Sequence, residues 1–70
     1  MLEKIAEILS KYTNENITEE SMLISDLGLT SFDLVSIIME FEDKFNIEIA
    51  DREIHKFILV KDIVNYIENH

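Results

Sequence analysis

Leu2, Ile5, Ile8, Leu9 and Tyr12 recur at intervals of three and four, with Glu3, Lys4, Glu7 and Lys11 between them. That spacing puts the apolar set on one helix face and predicts a first helix over residues 2 to about 14. Glu7 and Lys11 attract at i, i+4, but such pairs are worth only tenths of a kcal/mol, so the apolar stripe decides. Tyr12 is expected at the core edge with its hydroxyl in water. From Thr13 to Thr30 the pattern breaks. Asn14, Asn16, Thr18, Ser21 and Ser25 are turn formers, while Ile17, Met22, Leu23, Ile24 and Leu27 are expected to anchor the connection to the body. A helical turn is expected at residues 18–21.

The periodicity returns from Ser31 to about Asn46. Leu34, Ile37 or Ile38, Phe41 and Phe45 define a buried stripe. Phe32, Val35 and Met39 form a second apolar line, offset from the first. Either neighbouring elements wrap this helix or the second line meets a partner. The start of the helix is well marked. Gly28 supplies a tight turn, and Thr30 and Asp33 have the spacing of a capping box. Leu29 and Leu34 stand where a hydrophobic staple would form. Ser31 is then the first helical residue, its hydroxyl facing solvent beside uncapped N–H groups that favour an anion such as a phosphate.

Ile47-Glu48-Ile49 alternates like a strand but has no partner strand, so it reads as an extended linker with both isoleucines inward. Asp51 is expected to cap a short helix through about Lys56 or Phe57, with Ile54 and Phe57 closing the core. Val60, Ile63, Val64 and Ile67 mark a last helix from Val60 to about Glu68. Ile58-Leu59 offers it no side-chain cap, so an irregular start is expected, and the terminal His70 is expected to fray. The expected fold is all-α: a small four-helix bundle of three longer helices and one short one, with a long loop between the first and second helices, in one domain over residues 1–70.

Composition narrows the function. The chain has no cysteine, so neither disulfides nor thiolate metal sites contribute, and 47% hydrophobic content must hold 70 residues together. No apolar run approaches the roughly 20 residues of a membrane span. Met1-Leu2-Glu3-Lys4 lacks a leader pattern, so a cytoplasmic protein is expected; a monomer is expected as well. The net charge of -9 disfavours nucleic acid and anionic membranes and favours basic protein surfaces. From Tyr12 through Asp43 there is no Lys or Arg against eight acids: Glu15, Glu19, Glu20, Asp26, Asp33, Glu40, Glu42 and Asp43.

The chemistry centres on Ser31. A serine hydroxyl is a poor nucleophile without a base. Asp33 is committed to capping, no histidine is near in sequence, and Gly-x-Ser-x-Gly is absent. His55 reads as a surface residue. No glycine-rich phosphate loop or zinc spacing occurs, and Asn14, Asn16 and the acids near them lack the sixth-position glycine of a calcium loop. Ser31 therefore reads as a substrate for another enzyme, and the chain as no enzyme itself.

Asp26-Leu27-Gly28, two residues, Ser31, an apolar residue, Asp33 and an apolar helix ending Phe45-Asn46-Ile47-Glu48-Ile49 resemble the acyl carrier protein family. Weaker agreement runs through Asp51-Arg52-Glu53 and Val60–Ile67. The resemblance implies that Ser31 carries covalent 4'-phosphopantetheine, derived from coenzyme A, whose thiol holds acyl groups as thioesters. It also implies a docking face of Phe32, Asp33, Val35, Ser36, Met39, Glu40 and Asp43. The partners implied are a phosphopantetheinyl transferase and acyl-loading, acyltransferase or synthase enzymes with basic surfaces. Leu34, Ile37, Ile38 and Phe41 are candidate walls of an acyl pocket. Thr30 stands where the family usually has Asp, Phe32 where it has Leu or Met, and Ala50 where proline is common, which together hint at a specialised carrier. Amino acids or polyketide intermediates remain alternative cargoes. An unmodified acidic interaction module is the competing class.

Overall fold

The longest helix, α2 (Ser31–Phe45), forms the spine, and α1 (Leu2–Leu9) and α3 (Asp51–Ile54) both pack on it. With α4 (Val60–Glu68), these are the helices of a computed structural model that describes residues 1–69. The expectation for His70 lies outside the described residues. The all-helical expectation holds: among the described residues the only strand-like pairing is an isolated antiparallel bridge between Met22 and Leu59.

Ile5, Ile8 and Leu9 of α1, Leu34, Ile37, Ile38 and Phe41 of α2, and Val60, Ile63, Val64 and Ile67 of α4 meet in one core. Burying each such side chain contributes roughly 1.5–3 kcal/mol, far more than exposed ion pairs do. Phe45 is only half-buried and stacks at a tilt on Phe41, with ring centroids 6.2 Å apart.

Three expected boundaries shift. The first helix stops at Leu9 and does not reach residue 14. The Ser10 hydroxyl donates to the Glu7 carbonyl (2.8 Å), and Lys11 and Tyr12 donate to the i−3 carbonyls of Ile8 and Leu9. The last turn is thus tightened, with Tyr12 still on the inner face, so periodicity alone cannot see the change. Asp51 is the first residue of α3 and makes no capping bond; Ala50 precedes it, and the helix proper ends at Ile54, with single turns to Phe57. At α4 the expected irregular start is absent. One Asp62 carboxylate oxygen accepts from the N–H groups of Leu59 (2.8 Å) and Ile58 (3.1 Å).

The α4 start also draws on the long connection, residues 10–30. The Val60 and Lys61 N–H groups donate to the Ser21 and Glu19 carbonyls, and Leu23 N–H donates to the Ile58 carbonyl (2.9 Å). Loop backbone thereby satisfies helix donors that a sequence search for caps would leave orphaned. Residues 18–21 form a single i, i+3 turn, and Ser21, buried to 8% exposure, accepts from the Thr18 N–H. Asp26 accepts from the Met22 N–H, and Gly28 closes the following turn at φ +70°, where a Cβ would be strained. Leu23 and Leu27 anchor this loop as expected, Ile17 packs partly buried against the core, and Leu29 is buried beside them. Met22 and Ile24 do not anchor it: they are 41% and 52% exposed. Ile47 and Ile49 do turn inward, and the Glu42 carboxylate holds the Ile49 N–H at 2.8 Å.

Candidate functional site

Ser31 is the first residue of α2 and is exposed. The capping box forms as expected. The Thr30 hydroxyl accepts from the Asp33 N–H and the Asp33 carboxylate accepts from the Thr30 N–H, both at 3.0 Å. The first helical bond runs from the Leu34 N–H to the Thr30 carbonyl, so the Ser31 and Phe32 N–H groups find no acceptor among the described residues. The Ser31 hydroxyl likewise has no partner among the described residues. Free donors and the positive helix end beside an unengaged hydroxyl suit an attached phosphodiester.

A groove of about 510 Å³ opens beside Ser31. Leu34 and Val35 of α2 form one bank; Ile24, Ile54, Phe57 and Ile58 form the other. Of the four expected pocket walls, only Leu34 borders this space. Ile37, Ile38 and Phe41 are sealed in the closed core, at 0–3% exposure. Asp51 and His55 are the ionisable side chains on the rim. Folding thus brings a histidine to the groove that Ser31 borders, although none is near in sequence; no hydrogen bond links the two.

The second apolar line of α2 is open. Phe32 is 81% exposed, Val35 51% and Met39 63%, so neighbouring elements do not wrap it. Asp43 is exposed and has no partner among the described residues. Ser36 and Asp33 are half-buried, and Asp33 is occupied as a cap.

Glu40 is engaged elsewhere. Lys11 donates to one of its carboxylate oxygens at 2.9 Å, and the Tyr12 hydroxyl donates to the other. The Tyr12 bond, then the Lys11 bond, holds the Glu40 carboxyl below the usual glutamate range. The same contact raises the Tyr12 hydroxyl, helped by burial, and raises the Lys11 ammonium. Tyr12 therefore does not offer its hydroxyl to water as expected. A parallel pair, Lys44 with Glu7 at 3.4 Å, ties the same two helices.

Sequence reasoning missed Ile24 and Ile58 as groove residues. A signal existed for both: in the unbroken apolar runs Met22–Ile24 and Phe57–Val60, some side chain must face outward. For Glu40 there was none, because its partners lie 28 and 29 residues away.

Among the described residues no cluster of His, Asp or Glu is arranged to hold a metal, and no helix is long and apolar enough to cross a membrane. Residues 1–67 match the family described as the phosphopantetheine attachment site. The chain is 41% identical to an acyl carrier protein of Wolinella succinogenes over all of its own length and 96% of that protein. It is also 41% identical to an acyl carrier protein of Thermotoga maritima, over 93% of this chain and 84% of the relative. A solved structure, a candidate acyl carrier protein from Mycobacterium tuberculosis, superposes with a TM-score of 0.90 at 30% identity, covering 97% of this chain and 95% of that one.

Proposed function

The chain belongs to the acyl carrier protein family, and from that premise we propose that Ser31 is the residue that takes the 4'-phosphopantetheine arm. The single observation that carries this is the unengaged, exposed Ser31 hydroxyl at the first position of a capped helix, beside free N–H groups. Proteins of this family are carriers and not catalysts, and they work with phosphopantetheinyl transferases and synthase enzymes. When attached, the arm supplies a thiol that holds acyl groups as thioesters.

The Ser31 hydroxyl has no base of its own, since Asp33 is spent on the cap and His55 makes no bond to it. The transferase must therefore remove the proton. The serine oxygen attacks the phosphorus of coenzyme A that bears the pantetheine. The pyrophosphate P–O bond breaks, and the adenosine bisphosphate half leaves. The site's own contribution is placement: Thr30 and Asp33 fix the helix start, and the free N–H groups stabilise the new phosphodiester.

The groove supports an aliphatic acyl cargo over an aminoacyl one. Six apolar side chains wall it, and its charged groups stand only at the rim. The docking face is the exposed line Phe32, Val35 and Met39 with Asp43 beside it, suited to a basic enzyme surface with an apolar centre. Met39 is a flexible, polarizable contact that adapts to more than one partner.

Intact mass after incubation with coenzyme A and a phosphopantetheinyl transferase tests the assignment. The wild type gains the mass of one arm and Ser31→Ala gains none. An unmodified wild type would favour an acidic interaction module instead.

A further inference from the structure

Phe57 borders two hollows that otherwise share no residue. On one side lies the groove beside Ser31. On the other lies a hollow of about 420 Å³ between α3 and α4, flanked by Glu53, Lys56, Asp62, Asn65 and Tyr66. The division follows from the short helix: Asp51, Ile54 and His55 border the first space, Glu53 and Lys56 the second. Phe57, just after the helix, is the one described residue that borders both.

Its ring is firmly seated. The Phe57 N–H donates to the Ile54 carbonyl at 3.2 Å, the side chain is 6% exposed, and the ring meets Tyr66 edge-on at 5.5 Å and 77°. Edge-to-face aromatic pairs add attraction beyond buried area, so displacing the ring has a cost. The two spaces also differ in character. The Ser31 side of the ring is walled by Ile24, Leu34, Ile54 and Ile58, whereas the far side carries Glu53, Lys56 and Asp62. An aliphatic chain entering beside Ser31 gains by every methylene it buries until it reaches the ring. Beyond it, the chain must unseat an aromatic pair to enter a charged hollow.

We propose that Phe57 is a partition that sets the longest aliphatic chain the groove can shelter, a specificity-determining role that rests on the acyl-carrier reading above. Shortening the side chain joins the two hollows and moves the limit to longer chains. Phe57 touches the cargo and not the reacting thioester, so its role is in selection by length and not in chemistry.

The test loads the full chain at Ser31 from saturated straight-chain acyl-coenzyme A thioesters, butanoyl to tetradecanoyl, with a phosphopantetheinyl transferase. The thermal unfolding midpoint is then compared with that of the unacylated arm-bearing form. In the wild type the midpoint rises with each added pair of carbons and then levels off, because buried methylenes stabilise only the folded state. In Phe57→Leu the plateau arrives at a longer chain, and in Phe57→Ala at a longer one still. Phe57→Leu retains an apolar side chain, so the test survives if the alanine variant unfolds. A wild-type rise followed by the same plateau length in Phe57→Leu overturns the partition and leaves the carrier reading intact. A wild type whose midpoint ignores chain length removes the sheltering groove, and the partition with it. No mass gain in the wild type removes the carrier reading itself.

Discussion

The two edges of α2 carry residues of the same kinds and use them oppositely. On the edge toward α1, Glu40 is bound by Lys11 and Tyr12, Lys44 pairs with Glu7, and Phe41 is wholly buried. On the open edge, Phe32, Val35 and Met39 are exposed, and Asp43, at the border between that edge and the α1 side, has no partner among the described residues. Glu40, Glu42 and Asp43 lie within four positions, yet Glu40 ties two helices, Glu42 holds the Ile49 N–H, and Asp43 alone keeps its charge uncommitted. An acid available to a partner is distinguished by what its neighbours leave over. Only the open edge combines apolar reach with unspent charge, and that edge begins at Ser31.

The strongest way to break this contrast is to exchange burial. Phe41→Ala should cost about 3–5 kcal/mol in urea unfolding, whereas Met39→Ala, two residues away on the open edge, should leave the midpoint nearly unchanged. A large loss at Met39 would mean that the open edge is part of the core after all. Next in size is the helix start: Thr30→Ala should remove about 1 kcal/mol of stability, read in the same titration, because it deletes one half of the capping box.

Charge reversal separates the acids. Asp43→Lys should slow loading at Ser31 several-fold at low ionic strength, lose that effect in high salt, and leave the circular dichroism melt unchanged. Glu40→Lys should instead lower the melting temperature, since it sets a cation against Lys11 and strips the Tyr12 hydroxyl of its acceptor. Equal behaviour of the two variants would erase the distinction between the edges.

The smallest effect is a pH dependence. The folded state holds the Glu40 carboxyl below its ordinary value, so the contribution is present above that value and is lost as pH falls through the folded one. Tyr12 is raised, so its contribution is full below the ordinary tyrosine value and is lost as pH climbs past it. Tyr12→Phe should flatten both limbs of the melting temperature against pH relative to wild type. Unchanged limbs would show that other groups set the pH profile.

Much of this was legible in the order of residues. The α2 start needed only Thr30, Asp33 and Gly28, because a capping box and a positive-φ glycine are local devices. The core stripes of α1, α2 and α4 followed from spacing alone. The end of α1 was not legible, since a tightened turn keeps Tyr12 on the same face as a continued helix. The start of α4 was misjudged for a related reason: its donors are satisfied by the Ser21 and Glu19 carbonyls, and backbone acceptors carry no sequence signature.

The site divides along the same line. The sequence by itself determined that Ser31 opens a capped helix, and that an acidic, cysteine-free chain of this length must be held by helix packing. Tertiary structure decided that the groove lies between α2, α3 and two loop isoleucines and not among Ile37, Ile38 and Phe41. It also decided that Glu40 belongs to the α1 seam, and that Phe57 divides two hollows. Capping and periodicity act over one or two turns and are written in neighbouring residues. Cavities and ion pairs are made where distant segments meet, and only packing specifies who meets whom.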